Sequence, residues 1–321
     1  MFISVVIPTY NRKPILAKCL KALEQQQFPT EPLRSKKRSF LPVLEDIRYE
    51  VVVVDDGSQD GTIEWLRDNP EFSHVRLFEQ SHQGPAAARN LGVQVAQGKT
   101  IVFIDSDLVV TELFLYYHAQ ALQEAYQRHG HRRFFTYGAV INTCNFENPT
   151  QEPYKITDFS AAYFATGNVA IDRTWLEKVG LFDTQFQLYG WEDLELGVRL
   201  KKEDLTLIKC PEAVGYHWHP PFSLDQIPNL IAKEIERGRM GVLFYQKHPV
   251  FTVRLMIQMT VLHRILWGVL SLGGRLNEKT LAPFLQWLID QKRSQLALEI
   301  ARIFLNWYNV QGVYAAYREI R

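Results

Sequence analysis

Apolar residues in this chain come in short runs that stop abruptly at polar or turn-forming residues. Ile3 to Ile7 ends at Pro8, Val51 to Val54 ends at Asp55-Asp56-Gly57-Ser58, and Ile101 to Ile104 ends at Asp105-Ser106-Asp107. Val75 to Phe78, Phe134 to Ile141 and Ala165 to Ile171 are further runs. Such runs predict strands, and the most continuous of them predict strands buried on both faces. Between them the period changes to that of helices. Leu16, Leu20 and Leu23 share a helical face that Asn11 can cap, and Thr62 can cap Ile63 to Arg67. Gly84-Pro85 opens a helix that stops before Gly98. Thr111 to Arg128 reads as helical, and Asp172 can cap a short helix closed by Gly180. Leu194, Val198 and Trp191 fit one face of another helix. This alternation predicts an α/β fold with a mostly parallel, Rossmann-like sheet flanked by helices over residues 1–221. From 222 to 321 the pattern turns helical, over Ile227 to Tyr245, Val253 to Leu272 and Leu281 to Tyr317.

Composition narrows the function classes. A formal charge of +1 over 321 residues argues against a bulk polyanion binder, so no nucleic-acid partner is expected. Cys19, Cys144 and Cys210 are odd in number and far apart, which suits a reducing compartment and excludes a cysteine-based zinc site. The N-terminus lacks a basic n-region, so no signal peptide is expected. Leu255 to Leu272 is apolar but interrupted by Gln258, His263 and Arg264, so a membrane span is not expected. The expected location is cytoplasmic, with or without peripheral contact at the inner face of a membrane. Residues 29–49, with Arg34, Lys36, Lys37 and Arg38, read as a solvated loop or as a basic patch for an anionic lipid or acceptor. His129 and His131 read as surface residues. The C-terminal helices mix aromatic with basic residues. They either pack on the domain or a second subunit, or present a face to a membrane surface.

The candidate chemistry gathers at strand ends. Asp105 and Asp107 leave a strand on the same side, and carboxylates held that close repel unless a cation lies between them. Ligands of open α/β sheets bind outside the carboxyl ends of strands. Taken alone, the pair reads as a divalent-metal site for a phosphorylated ligand or as a polar turn. Glu192 and Asp193 fall in the first turn of a helix, where the dipole favours negative charge whether or not they are catalytic.

Several stretches, in order, resemble family 2 glycosyltransferases of GT-A fold. They are Ser4-Val-Val-Ile-Pro-Thr-Tyr-Asn11, Val51-Val-Val-Val-Asp-Asp-Gly-Ser58, Gly84-Pro-Ala-Ala-Ala-Arg-Asn90 and Phe103-Ile-Asp-Ser-Asp107. Thr166-Gly-Asn-Val-Ala-Ile171, Val179-Gly-Leu-Phe-Asp183 and Gly190-Trp-Glu-Asp-Leu-Glu-Leu-Gly-Val-Arg-Leu200 continue the series. The match spans roughly 2–221 and leaves out the helical tail; the 29–49 insertion is longer than the family's usual loop. The resemblance implies a nucleotide-diphospho-sugar donor, often a UDP-sugar, and inversion at the anomeric carbon. It implies that Pro8, Tyr10 and Asp56 hold the base and ribose, with Asp55 supporting the turn. Arg89 would bind the nucleotide or brace Asp105, or form a purely structural ion pair. Asp107 would ligate Mn²⁺ or Mg²⁺ directly, with Asp105 assisting through ribose or water. His217 and His219 fall where related metal-dependent transferases supply a histidine to the cation. Asp193 would be the base, and Glu192 would bind acceptor hydroxyls and keep Asp193 basic. Asn168 and Trp191 would line the donor or acceptor pocket, unless Trp191 is core.

The implied acceptor is a glycan or glycolipid hydroxyl. A sugar-1-phosphate nucleotidyltransferase would carry a Gly-rich basic loop where Ile7-Pro-Thr-Tyr-Asn-Arg12 stands. A dinucleotide oxidoreductase would need G-x-G-x-x-G after the first strand. A degenerate binding module of the same fold should have lost Asp107 or Asp193, and both are present.

Overall fold

The computed structural model describes residues 1–29, 46–158, 160 and 162–320. The basic run of Arg34, Lys36, Lys37 and Arg38 lies outside the described residues. The elements in chain order are β1 (Phe2–Thr9), α1 (Lys13–Glu24), β2 (Arg48–Asp55), α2 (Thr62–Asp68), β3 (Val75–Glu79), α3 (Pro85–Val95) and β4 (Thr100–Ile104). Then come β5 (Leu108–Val110), α4 (Phe114–His129), β6 (Phe134–Thr143), β7 (Asn168–Asp172), α5 (Arg173–Val179), α6 (Glu192–Lys202) and β8 (Thr206–Trp218). The tail holds α7 (Ile227–Lys247), α8 (Phe251–Met256), α9 (Val261–Leu270), α10 (Glu278–Asp290) and α11 (Ser294–Glu319). Two units are distinguishable. One comprises Met1–Gln185 and Glu192–His219; the other comprises Phe186–Trp191 and Pro220–Arg321.

The first unit is built on one eight-stranded sheet ordered β3-β2-β1-β4-β7-β6-β8-β5. β3, β2, β1 and β4 are parallel, β7 runs antiparallel to β4 and β6, β8 is parallel to β6, and β5 is antiparallel to β8. Ile3, Val5 and Ile7 enter one apolar cluster with Leu16, Leu20 and Leu23 of α1. Val6 enters a second cluster with Ala86 and Val93 of α3. Burial on both faces is why these strands read as continuous apolar runs. A Cβ at Gly92 would lie 2.3 Å from Val6 Cγ1, so α3 sits as close to β1 as a glycine allows. The sheet order sets the carboxyl ends of β1, β2, β4, β6 and β8, with the start of β7, along one edge.

Local signals met different fates. Asp172 caps α5 by accepting from Thr174 N at 3.0 Å, and Gly180 closes that helix at φ 89°. Asn11 does not cap α1. Arg12 holds that position, and Asn11 Oδ1 accepts from Gln59 N at 2.7 Å. Likewise, Thr62 lies inside α2, whose N-cap is Gly61. β8 had no clear sequence signal because Pro211 and Glu212 break its apolar run. The sheet takes up that irregularity with a register shift opposite Gly138 and Ala139.

In the second unit, α7 and α11 pack with their backbones close together. A Cβ at Gly238 would lie 2.7 Å from the Asn309 carbonyl oxygen. Leu285, Leu288, Ala297, Ala301 and Phe304 form the buried core where α10 meets α11. The stretch Phe251–Leu270, 20 residues of mean hydropathy 1.3, has the length and composition of a membrane-crossing helix. It folds instead as α8 and α9, broken at Gln258, whose φ is 58°.

Candidate active site

The sheet edge gathers most of the residues singled out above. At the ends of β1 and β2, Tyr10 is 41% exposed and stacks on His82, with ring centroids 4.2 Å apart. The neighbouring acids both hold loops that leave this end of the sheet, Asp55 supporting the turn after β2 as expected. Asp56 Oδ1 accepts from Gln80 Nε2 at 2.7 Å and Gln83 N at 2.8 Å. Its Oδ2 accepts from Gly84 N at 2.9 Å and lies 2.9 Å from His82 Nδ1. Asp56 is therefore the anchor of the 80–84 loop. Asp55 accepts from Ser58 N at 2.7 Å through Oδ1, while its Oδ2 and the adjacent Thr9 hydroxyl are buried without a partner. Buried polar atoms of this kind are costly unless something completes them. Pro8 lies beside them, paired with Val54 in the sheet.

Past β4 the chain turns through Asp105-Ser106-Asp107 into β5. The β5–β8 pairing sets Leu108 opposite His217, and Trp218 N donates to the Asp107 carbonyl at 2.9 Å. This register brings His217 Nε2 to 3.2 Å from Asp107 Oδ1, with Arg12 3.8 Å from Oδ2. On the other side, Asn142 donates through Nδ2 to Asp158 Oδ1 at 3.0 Å, which leaves Asn142 Oδ1 facing His217 Nδ1 at 3.3 Å. An amide oxygen only accepts, so Nδ1 carries the ring proton. Nε2 and the Asp107 carboxylate then face each other as two acceptors, and a cation is needed between them: a proton or a metal. Burial alone would lower the His217 pKa, but the hydrogen bond and charge of Asp107, with Asp105 behind it, outweigh burial and raise it. Asp107 is lowered against its own burial by His217 and Arg12. His219 points elsewhere. Its Nδ1 lies 3.5 Å from Cys144 Sγ, and its backbone N–H donates to Thr143 O.

Arg89, 5% exposed on α3, ties β4 to the head of α6. It donates to Asp105 Oδ1 at 3.0 Å and to Glu192 Oε1 at 2.9 Å. Beside Glu192, the Asp193 carboxyl is pushed up to about 7, first by burial and then by the Glu192 charge, with Arg89 opposing. Four carboxylates (Asp105, Asp107, Glu192, Asp193) thus share the cluster with two guanidiniums (Arg12, Arg89). Carboxylates outnumber guanidiniums here, and His217 together with the raised Asp193 carboxyl offsets part of that excess. Among the described residues no three of His, Cys, Asp and Glu close into a ready-made cage. Asp107 and His217 instead set one oxygen and one nitrogen donor 3.2 Å apart.

Two of the expected pocket residues are engaged by partners of their own. Asn168 is fully buried, with Oδ1 at 2.8 Å from His118 Nε2 and Nδ2 donating to the Ala139 and Ala213 carbonyls at 2.9 and 3.0 Å. His118 is itself held neutral, its pKa lowered to about 4 by burial, so its Nε2–H donates to that amide. Trp191 belongs to the helical unit, 6% exposed, with its indole N–H donating to the Arg237 carbonyl at 2.7 Å. Residues missed from sequence include Arg12, His82, Asn142 and Asp158. Only the first two had a local hint, as a basic or aromatic side chain just beyond or between predicted strands. Asn142 and Asp158 reach the site solely through the sheet.

The family model described as glycosyl transferase family 2 matches residues 4–180, and one described as N-terminal domain of galactosyltransferase matches 150–220. Chondroitin synthase of Escherichia coli is 27% identical over 286 residues, covering 78% of this chain and 39% of that protein. The chain spans 26–39% of the length of the chondroitin and hyaluronan synthases it matches. The mannosyltransferase PcManGT from Pyrobaculum calidifontis, in complex with GDP-Man and Mn²⁺, is similar at TM-score 0.53 and 19% identity, over 96% of this chain and 86% of that one. S. aureus TarS 1-349 in complex with UDP is similar at TM-score 0.50 and 16% identity, over 100% and 92%. The likeness to these structures is one of fold: a mixed, mostly parallel GT-A sheet flanked by helices.

Proposed function

The chain belongs to glycosyl transferase family 2, and we propose that it moves a sugar from a nucleotide-diphospho-sugar to an acceptor hydroxyl with inversion, assisted by Mn²⁺ or Mg²⁺. The observation that carries this reading is the Asp107–His217 pair at 3.2 Å, in one cluster with Asp105, Arg89, Glu192 and Asp193. Of the two candidate histidines, His217 is the proposed ligand, with Asp107 as its partner and Asp105 assisting. The bound cation would stabilise the charge on the departing diphosphate. Tyr10 and His82 offer stacking faces for the base. A UDP-sugar is the proposed donor, a reading supported by the TarS complex with UDP, whereas PcManGT is in complex with GDP-Man.

Asp193 would accept the acceptor's proton as the oxygen attacks the anomeric carbon from the face opposite the diphosphate. A carboxyl with a pKa near neutrality is well matched to that task, since it is ionised at working pH yet still basic. Glu192, held by Arg89, would tune that basicity through its charge and offer its carboxylate to acceptor hydroxyls. The acceptor class proposed is a hydroxyl of a surface glycan or glycolipid.

The test is a thermal-shift panel of nucleotides and nucleotide-sugars, each with Mn²⁺ and with EDTA. A ligand specific to the folded state at a hundred times its dissociation constant adds about 2.7 kcal/mol. A metal-dependent shift selective for UDP-sugars is expected. No shift with any nucleotide in folded protein would overturn the donor assignment. Binding with no turnover on any acceptor would indicate a degenerate binding module.

A further inference from the structure

The helical unit presents its apolar residues the wrong way round for a protein surface that meets only water. Ordinary surface helices turn an apolar stripe to the core and polar residues outward. In α9 no residue is fully buried, and Val261, Leu262, Ile265 and Val269 are 58–70% exposed. The inner face is formed by other residues. Trp267 Nε1 donates to Gln258 Oε1 at 2.6 Å, Gln258 Nε2 donates to Asn306 Oδ1 at 3.1 Å, and Gly268 rests on Trp307. Val253, Ile257 and Met259 are buried beneath the break between α8 and α9. The segment is therefore held in place while its aliphatic side faces out. Phe251 at 66% and Leu272 at 59% exposure extend the patch at both ends. Of the 20 large apolar residues exposed among the described residues, 11 lie between Val250 and Leu272.

Charge identifies the occupant. From Arg237 to Asn277 the chain holds no Asp or Glu; Arg237 and Arg239 pair with Glu234 and Glu319 outside the stretch, while Arg254, Arg264 and Arg275 are exposed. Arg254 and Arg264 are exposed on α8 and α9 themselves. A second copy docked on this face by a two-fold axis would set these arginines against their own kind. An anionic lipid surface meets both features: acyl chains take the aliphatic residues and headgroups take the arginines. We propose that the α8–α9 face docks the protein onto an anionic bilayer, with the two helices lying in the interfacial plane. The break at Gln258 and the buried residues below it keep the stretch from extending into a continuous span.

The experiment is flotation of the purified full chain with vesicles of phosphatidylcholine, with or without phosphatidylglycerol. The variants are I265E/V269E and R254Q/R264Q. The wild type is expected to float with the anionic vesicles and to lose that binding as salt rises. I265E/V269E should not float, with an unchanged melting temperature because both positions are exposed. R254Q/R264Q should bind about 30-fold more weakly, from about 1 kcal/mol per basic residue at the surface. Failure of the wild type to float with anionic vesicles would overturn the proposal, as would flotation of I265E/V269E at the wild-type level. A dimer in sedimentation velocity that I265E/V269E dissolves, without flotation, would assign the face to a second copy instead.

Discussion

Replacing Asp193 by Asn separates the chemistry of the site from its stability, because the two should move in opposite directions. Asn keeps the shape and can still accept from Leu194 N, which donates to Asp193 Oδ1 at 2.7 Å. It removes the base, and a positioned base contributes about 10²–10⁴ in rate, so kcat should fall by that factor. Stability should rise at neutral and alkaline pH. The folded Asp193 carboxyl is pushed from 3.8 up to about 7 by burial and the Glu192 charge. Between those values the folded state holds a proton that the unfolded state has released, so stability falls as pH climbs through that window. A fully screened-off carboxyl shifted this far would cost about 4 kcal/mol above neutrality. Asp193 keeps some solvent contact, which reduces the expected gain for D193N to about 1–3 kcal/mol. Near pH 4 wild type and variant should unfold alike. The assay pairs turnover of the best nucleotide-sugar across pH with thermal unfolding over the same range. Wild-type kcat/KM should climb with pH, reach half its plateau near 7 and level off above it, and D193N should lack that limb. A D193N variant with near-wild-type kcat, or one less stable than wild type at about pH 8, would refute the reasoning.

Three further outcomes are expected. H217A should weaken the Mn²⁺-dependent thermal shift by at least about 10-fold while H219A leaves it intact. Because the His217 pKa is raised, Mn²⁺ affinity should also strengthen with pH through and above the ordinary histidine range as the competing proton leaves, read by titration at several pH values. N142L removes the acceptor that holds the His217 Nδ1 proton, and should lower Mn²⁺ affinity about 10–100-fold, with a modest drop in melting temperature from the lost bond to Asp158. G92A places a methyl against Val6 at the α3–β1 contact and should destabilise by about 1–3 kcal/mol, seen in denaturant unfolding.

Much of the α/β architecture is legible in the chain because it is written in neighbouring residues. The apolar run Ile101 to Ile104 marks a doubly buried strand, and its exit through Asp105 and Asp107 marks the carboxyl end of that strand. Asp172 and Gly180 delimit α5 because a cap and a left-handed stop act over one or two turns. The family motifs are likewise local, and they single out Arg89, Glu192 and Asp193 without reference to the contacts among them. What the tertiary structure alone decided is the choice among equivalent partners. His217 and His219 are two residues apart in similar surroundings, and the register of β8 on β5 and β6 singles out the one beside Asp107. Asp55 and Asp56 are adjacent acids, and the return of the 80–84 loop decides which carboxylate is taken. Asn168 is expected in the pocket, and only the fold shows that its amide is taken up by His118 and two carbonyls inside the sheet. The reason is physical: strand and helix preference depend on side chains a few residues apart. The pairing of a buried donor with its acceptor depends on register between strands distant in sequence, where a shift of one residue turns every side chain to the other face.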